Sequence, residues 1–141
     1  AQEELKDTHY FIIKLHPHTQ VHTEGTNCDI PSEELLPVAD IVITDYSSIL
    51  FDAMIYQLPL VLFAPDLEEY LASRGFYLDY RTLPGIHIQK EEQLVKVLSD
   101  EARLNSSVNQ KYHDFFQDYM AACDGHATRR IMNYVSKSPN K

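Results

Sequence analysis

Short apolar runs rich in β-branched residues alternate along this chain with longer stretches whose apolar positions recur at helical spacing. The first run, His9 to Leu15 (His-Tyr-Phe-Ile-Ile-Lys-Leu), reads as an interior strand and stops at His16-Pro17, where proline cannot continue a ladder. The second, Ile41 to Thr44, and the third, Leu58 to Ala64, have the continuous apolar character of strands buried in a parallel sheet. A short last strand is expected at Ile86-His87-Ile88. Between them the period changes. Ile49, Ala53 and Tyr56, widened by Leu50 and Met54, predict a helix over about 47–57. Further helices are expected near 32–39, where Ser32 and two acids follow Pro31, and near 66–73, stopped by Gly75. Three more are expected at 90–99, 108–120 and 127–136, with Asn105-Ser106-Ser107 as a cap and Asp124-Gly125 as a break. Residues 76–85 read as an irregular connection.

Strands separated by helices in this order predict a parallel sheet with right-handed crossovers and helices on both faces, a Rossmann-like α/β domain. Three clear strands are few for such a sheet. The opening Ala1 to Asp7 reads as the tail of a helix feeding a strand, so the chain is expected to lack its first strand and to be a piece of something longer. All 141 residues fit one such domain, with a frayed tail over about 137–141.

Composition narrows the function more than the fold. Charged residues at 23% and apolar ones at 44% are globular values, while a net charge of −9 argues against nucleic acid, whose binding depends on Lys and Arg neutralising phosphates. An anionic ligand would need a local pocket. Cys28 and Cys123 read as reduced intracellular thiols, and no run approaches the roughly 18 apolar residues of a membrane span.

The chemistry concentrates where the second strand turns into a helix, at Thr44-Asp45-Tyr46-Ser47-Ser48. Backbone N–H groups and two hydroxyls at the carboxyl edge of a parallel sheet suit a phosphate. The same residue types also serve as a plain helix cap, and that reading stands beside the first. His16 falls at the end of the neighbouring strand, so an imidazole and a helix start would face one crevice. His16, His18, His22 and Cys28 have the donor types for zinc, but Pro17 restricts their convergence and the spacing matches no zinc pattern; no metal or cofactor is expected. A Ser-His-Asp hydrolase lacks its Gly-x-Ser-x-Gly elbow, and the glycine-rich nucleotide loops are missing from a chain with four glycines. Arg74, before Gly75, could clamp a phosphate or merely complement its helix's dipole. The aromatic patch from Tyr70 to Tyr80 reads as core or lid packing.

Several motifs then occur in order: Lys14-Leu15-His16-Pro17, Ala39-Asp40-Ile41-Val42-Ile43-Thr44-Asp45-Tyr46-Ser47-Ser48, Pro65-Asp66-Leu67-Glu68-Glu69-Tyr70 with Arg74-Gly75-Phe76-Tyr77, and Asp124-Gly125-His126-Ala127-Thr128-Arg129. Their succession, over roughly residues 9 to 135, resembles the carboxyl-terminal part of the CDP-glycerol glycerophosphotransferase family, the teichoic-acid primases and polymerases. His126 and Thr128 depart from the family's commoner residues.

The resemblance implies a GT-B architecture, two Rossmann-like domains about a cleft, of which this chain would be most of the donor-binding second. It implies that His16 is an active-site imidazole near the donor pyrophosphate, that Ser47 and Ser48 bind phosphate, and that Asp45, Glu69 and Arg74 lie in the substrate site. The implied reaction moves glycerol phosphate from CDP-glycerol, or ribitol phosphate from CDP-ribitol, to a lipid-linked polymer. The acceptor and its base would belong to the missing domain, so the isolated chain is expected to be inactive. The full-length enzyme would be peripheral, at the cytoplasmic face of the plasma membrane. A UDP-sugar-binding domain of a GT-B glycosyltransferase and a noncatalytic zinc module are the alternatives.

Overall fold

The structure, a computed structural model, describes residues 1–15 and 28–137. Three parallel strands form its centre: β1 (Val42–Thr44), β2 (Leu60–Phe63) and β3 (Ile86–Ile88), side by side in chain order. Val42 aligns with Leu60 and Thr44 with Leu62, while Val61 aligns with Ile86 and Phe63 with Ile88. The helices are α1 (Gln2–Leu5), α2 (Ser32–Leu35), α3 (Ile49–Ile55), α4 (Leu67–Ser73), α5 (Glu91–Leu98), α6 (Glu101–Ser107), α7 (Gln110–Met120) and α8 (Ala127–Lys137).

Because side chains alternate along a strand, the central β2 feeds two cores. Leu60 and Leu62 face a cluster with Leu50, Ala53 and Met54 of α3, Leu67 of α4 and Tyr112 of α7. Val61 faces the other way, with Ile86 and Ile88 of β3, Leu5 of α1, Leu94, Val97 and Leu98 of α5 and Leu104 of α6. Helices on both faces of a parallel sheet follow, as the strand pattern predicts. On the first face Tyr112 donates its hydroxyl to the Leu58 carbonyl at 3.0 Å, and burial raises its pKa above the ordinary tyrosine value.

Two local features let strands and helices meet. Gly85, entering β3 at φ +119°, lies so close to β2 that a Cβ there would stand 2.8 Å from the Leu60 carbonyl oxygen, a distance only glycine avoids. The end of α3 is closed by N–H bonds from Gln57 to the Met54 carbonyl and from Leu58 to that of Ala53, with Gln57 left-handed at φ 55°. Those are the two bonds of a Schellman cap, here with glutamine where glycine is usual.

Two expectations are corrected. The run from His9 to Leu15 is not a strand of the sheet: only Ile13 takes a bridge conformation, with the Cys28 N–H donating to its carbonyl at 3.2 Å. Tyr10 is 80% exposed and Ile12 44%, while Phe11 turns toward the α5 core. An apolar β-branched run has the propensity for a strand, but a ladder forms only where a neighbour aligns, and among the described residues β1 is bonded to β2 alone. The second correction adds α6, where the sequence suggested only a cap; Asp100 caps it by accepting the Arg103 N–H at 3.0 Å. The frayed tail from Ser138 on lies outside the described residues.

α8 differs from the rest. All its residues are exposed, including Ile131, Met132, Tyr134 and Val135. It is anchored at its start by Arg130, whose guanidinium donates to both Asp124 carboxylate oxygens at 2.7 Å and to the Ala122 carbonyl at 2.6 Å. Arg130 and the His126 N–H hold the Asp124 carboxyl below its usual range.

Candidate functional site at the carboxyl edge of the sheet

The three strands all end on one edge, and the segments leaving them build the site. After β1 the chain bends through Asp45 and Tyr46 and enters α3. Ser47 accepts the Ile49 N–H on its Oγ at 3.3 Å, so the capping bond comes from Ser47, while Ser48, at the N-cap position, makes no such bond. A hydroxyl that accepts through oxygen keeps its own proton to donate outward. Asp45, Ser47 and Ser48 are exposed.

An aromatic group stands beside this turn. Tyr46 stacks on Tyr70 of α4, with ring centroids 3.8 Å apart, and lies 5.6 Å from Phe76 and 5.5 Å from Tyr80. Its hydroxyl donates to Asp66 Oδ1 at 2.6 Å, joining the exit of β1 to the exit of β2. Tyr80, buried and in a 3₁₀ turn over Tyr80–Thr82, donates to the Asp45 carbonyl oxygen at 3.1 Å. Burial, then the carboxylates of Asp45 and Asp66, push the Tyr80 pKa up to about 12. Burial, then the hydrogen bond to Asp66, raise that of Tyr46 as well. Both phenols are therefore neutral donors at ordinary pH.

His87 of β3 meets Tyr80 edge-on at 5.5 Å, and its Nε2 lies 2.9 Å from the Leu83 carbonyl, to which an N–H there donates. An open pocket of about 420 Å³ follows the ends of β2 and β3, between Leu62, Ala64, Tyr80, Arg81, His87 and Gln93. Arg81 is held at its rim by Glu68 at 2.6 Å.

Of the residues the sequence singled out, Asp45, Ser47 and Ser48 share the β1 exit. Arg74 closes α4, exposed, with its guanidinium carbon 5.8 Å from the centre of the Tyr70 ring. That places it at the aromatic group that also packs Tyr46. Glu69 is exposed on α4, near its start. His16 lies outside the described residues, as do His18 and His22 of the zinc alternative. Cys28 is a free, half-buried thiol, and among the described residues no three metal-ligand side chains converge. Sequence reasoning missed the hydroxyl bonds of Tyr46 and Tyr80. The available signal was that Tyr46 and Asp66 each follow a strand and that Tyr80 precedes one.

A parallel sheet with helices on both faces and polar turns gathered at its carboxyl edge defines the class of Rossmann-like α/β domains. Within it, a family model described as CDP-Glycerol:Poly(glycerophosphate) glycerophosphotransferase matches residues 1–137, and the chain belongs to that family. A teichoic acid poly(ribitol-phosphate) polymerase of Bacillus spizizenii is 29% identical over 94% of this chain and 22% of its own length. A teichoic acid glycerol-phosphate primase of the same organism is 27% identical over 99% of this chain and 38% of its own. A variant of the wall teichoic acid polymerase TagF superposes with a TM-score of 0.71 at 28% identity, over 96% of this chain and 36% of that one. Another TagF variant, soaked with CDPG, gives 0.62 at 32% identity, over 74% of this chain and 26% of that one. The fold is thus a Rossmann-like unit of the GT-B kind. The chain spans between 22% and 38% of the length of these two Bacillus relatives. Among the described residues no helix is long and apolar enough to cross a membrane.

Proposed function

We propose that this chain is the donor-binding domain of a transferase that moves glycerol phosphate, or its ribitol counterpart, from a CDP-linked donor to a lipid-linked polyol phosphate polymer. The observation that carries the reading is the membership of residues 1–137 in a glycerophosphotransferase family, together with a hydroxyl-bearing turn at the carboxyl edge of the sheet.

In this reading the donor's diphosphate lies against Ser47 and Ser48. Ser47 donates the proton its capping bond leaves unused, and Ser48 donates from the N-cap position of α3. Arg74 offers a bidentate cation from the end of α4. Asp45 and Glu69 would repel phosphate, so they are assigned to hydroxyl groups of the ribose or polyol, which carboxylates accept well. In a chain of net charge −9 the diphosphate needs further positive charge. His16, protonated, supplies it at the leaving CMP, where it stabilises the charge that develops as the phosphate bond breaks. The acceptor and the base that activates its hydroxyl belong to the remainder of the full-length enzyme, which works at the cytoplasmic face of the membrane.

Titration of the full-length protein with CDP-glycerol, CDP-ribitol and UDP-sugars, read by the backbone amide signals of Ser47 and Ser48, tests the assignment. A CDP-polyol is expected to shift both amides at lower concentration than any UDP-sugar. Shifts produced by UDP-sugars alone would overturn it in favour of a sugar-nucleotide transferase. In the same protein His16→Ala is expected to abolish transfer, and near-normal turnover would remove its role.

A further inference from the structure

A parallel sheet leaves its exit turns outside the ladder, because hydrogen bonding between strands ends where the strands end. Among the described residues the pairing of β1 ends at Thr44, yet the four residues from Asp45 to Ser48 must keep one geometry if they are to meet a ligand. Two side chains supply what the ladder does not. Tyr80, 35 residues away in sequence, donates to the Asp45 carbonyl at 3.1 Å from a side chain that is 1% exposed. Tyr46, inside the turn, donates to Asp66 at 2.6 Å, 20 residues away. Through Tyr70, 3.8 Å from Tyr46, and His87, 5.5 Å from Tyr80, the same rings contact α4 and β3, and Phe76 bridges them at 5.6 Å from Tyr46 and 5.3 Å from Tyr80. The exits of β1 and β2 and the segment that leads from α4 to β3 are therefore tied by two hydroxyls and a ring stack.

We propose that Tyr46 and Tyr80 are positioning residues for donor binding, acting through the backbone of the Asp45–Ser48 turn and through the β2–α4 loop rather than by touching the donor. This rests on the donor assignment made above for the turn. A purely structural role predicts the same lost stability but no specific loss of binding. The molecule contains its own control. Tyr112 is equally buried, and its hydroxyl also donates to a backbone carbonyl, that of Leu58, at 3.0 Å, but from α7 and at the entry to β2, the opposite edge of the sheet.

Tyr80→Phe and Tyr112→Phe each remove one oxygen and preserve the ring. In the full-length enzyme both are expected to lower the melting temperature to a similar degree. Tyr80→Phe is expected to raise the KM for CDP-glycerol about tenfold with kcat changed less than threefold; Tyr112→Phe leaves KM within twofold. Tyr46→Phe, which frees Asp66, is expected to follow Tyr80→Phe. Equal KM for Tyr80→Phe and Tyr112→Phe, with wild-type protein turning over CDP-glycerol, overturns the positioning role and leaves the donor assignment standing. If wild-type protein neither binds nor turns over a CDP-polyol, the donor assignment itself fails. Should Tyr80→Phe not fold, the test moves to Tyr46→Phe, whose ring is only partly buried, and an unchanged KM there overturns the proposal.

Discussion

At the scale of single residues, the end of α3 holds an unfavourable choice that the fold tolerates. Gln57 sits at the left-handed position of a Schellman cap with φ 55°, where a side chain with a Cβ costs roughly 1–2 kcal/mol relative to an allowed conformation. The neighbours make the cap necessary: Leu58 continues directly into the buried pairing of β2, and its N–H satisfies the Ala53 carbonyl. Gln57→Gly is therefore expected to stabilise the domain by about 0.5–1 kcal/mol, since relieved strain exceeds the added entropy of the unfolded chain. Urea denaturation measures it, and a destabilised variant would mean that Gln57 makes a contact of its own. Part of the candidate site is legible at this scale. Ser47 and Ser48 stand out because hydroxyls at a strand-to-helix junction cap or bind, and the structure assigns the capping bond to Ser47. Tyr80 was not legible, because a hydroxyl looks the same in sequence whether its partner is water or a carbonyl 35 residues away.

Among the elements, the strands at 42–44 and 60–63 and most helices follow from period alone. The apolar run at 9–15 shows where period stops being sufficient. Its residues suit a pleated surface, yet among the described residues it adds no strand to the sheet, and Tyr10 and Ile12 are exposed. α8 shows the converse: its apolar positions recur at helical spacing and form a helix, but the face they make is uncovered in this domain. Removing side chains from a helix whose residues are all exposed changes stability by less than about 0.5 kcal/mol. Tyr134→Ser and Val135→Ser should each stay within that limit in urea denaturation of residues 1–141, whereas Leu104→Ala on α6, 4% exposed, should cost about 2–5 kcal/mol. A loss above 1 kcal/mol at Tyr134 would show that α8 packs against this domain.

For the whole molecule, the buried phenols set an alkaline limit. Tyr80 is raised from its ordinary value to about 12, so the folded state holds its proton where the unfolded chain has begun to release one. Its contribution is complete below the unfolded tyrosine value near pH 10 and is lost as pH climbs through about 12, at roughly 1.4 kcal/mol per pKa unit. Tyr46 and Tyr112 are raised too and act in the same direction. Melting temperatures taken from pH 9 to 12 should fall, and more gently in Tyr80→Phe, which lacks the titrating group. Identical slopes for the two proteins would exclude Tyr80 from this linkage.

The sequence by itself determined what is local. It set the period of each run, the breaks at Gly75 and Gly125, the polar junction after β1 and the ordered motifs by which the chain resembles its family. Only the tertiary structure decided which of those pieces meet. Whether an apolar run becomes a strand depends on a ladder partner, and whether a helix is covered depends on an element elsewhere in the chain. The Asp45–Ser48 turn is held by Tyr80 because the parallel crossover from β1 to β2 returns the chain to the same sheet edge before the segment that carries Tyr80. Contacts across 20 or 35 residues depend on strand order and register, which no short stretch of sequence encodes.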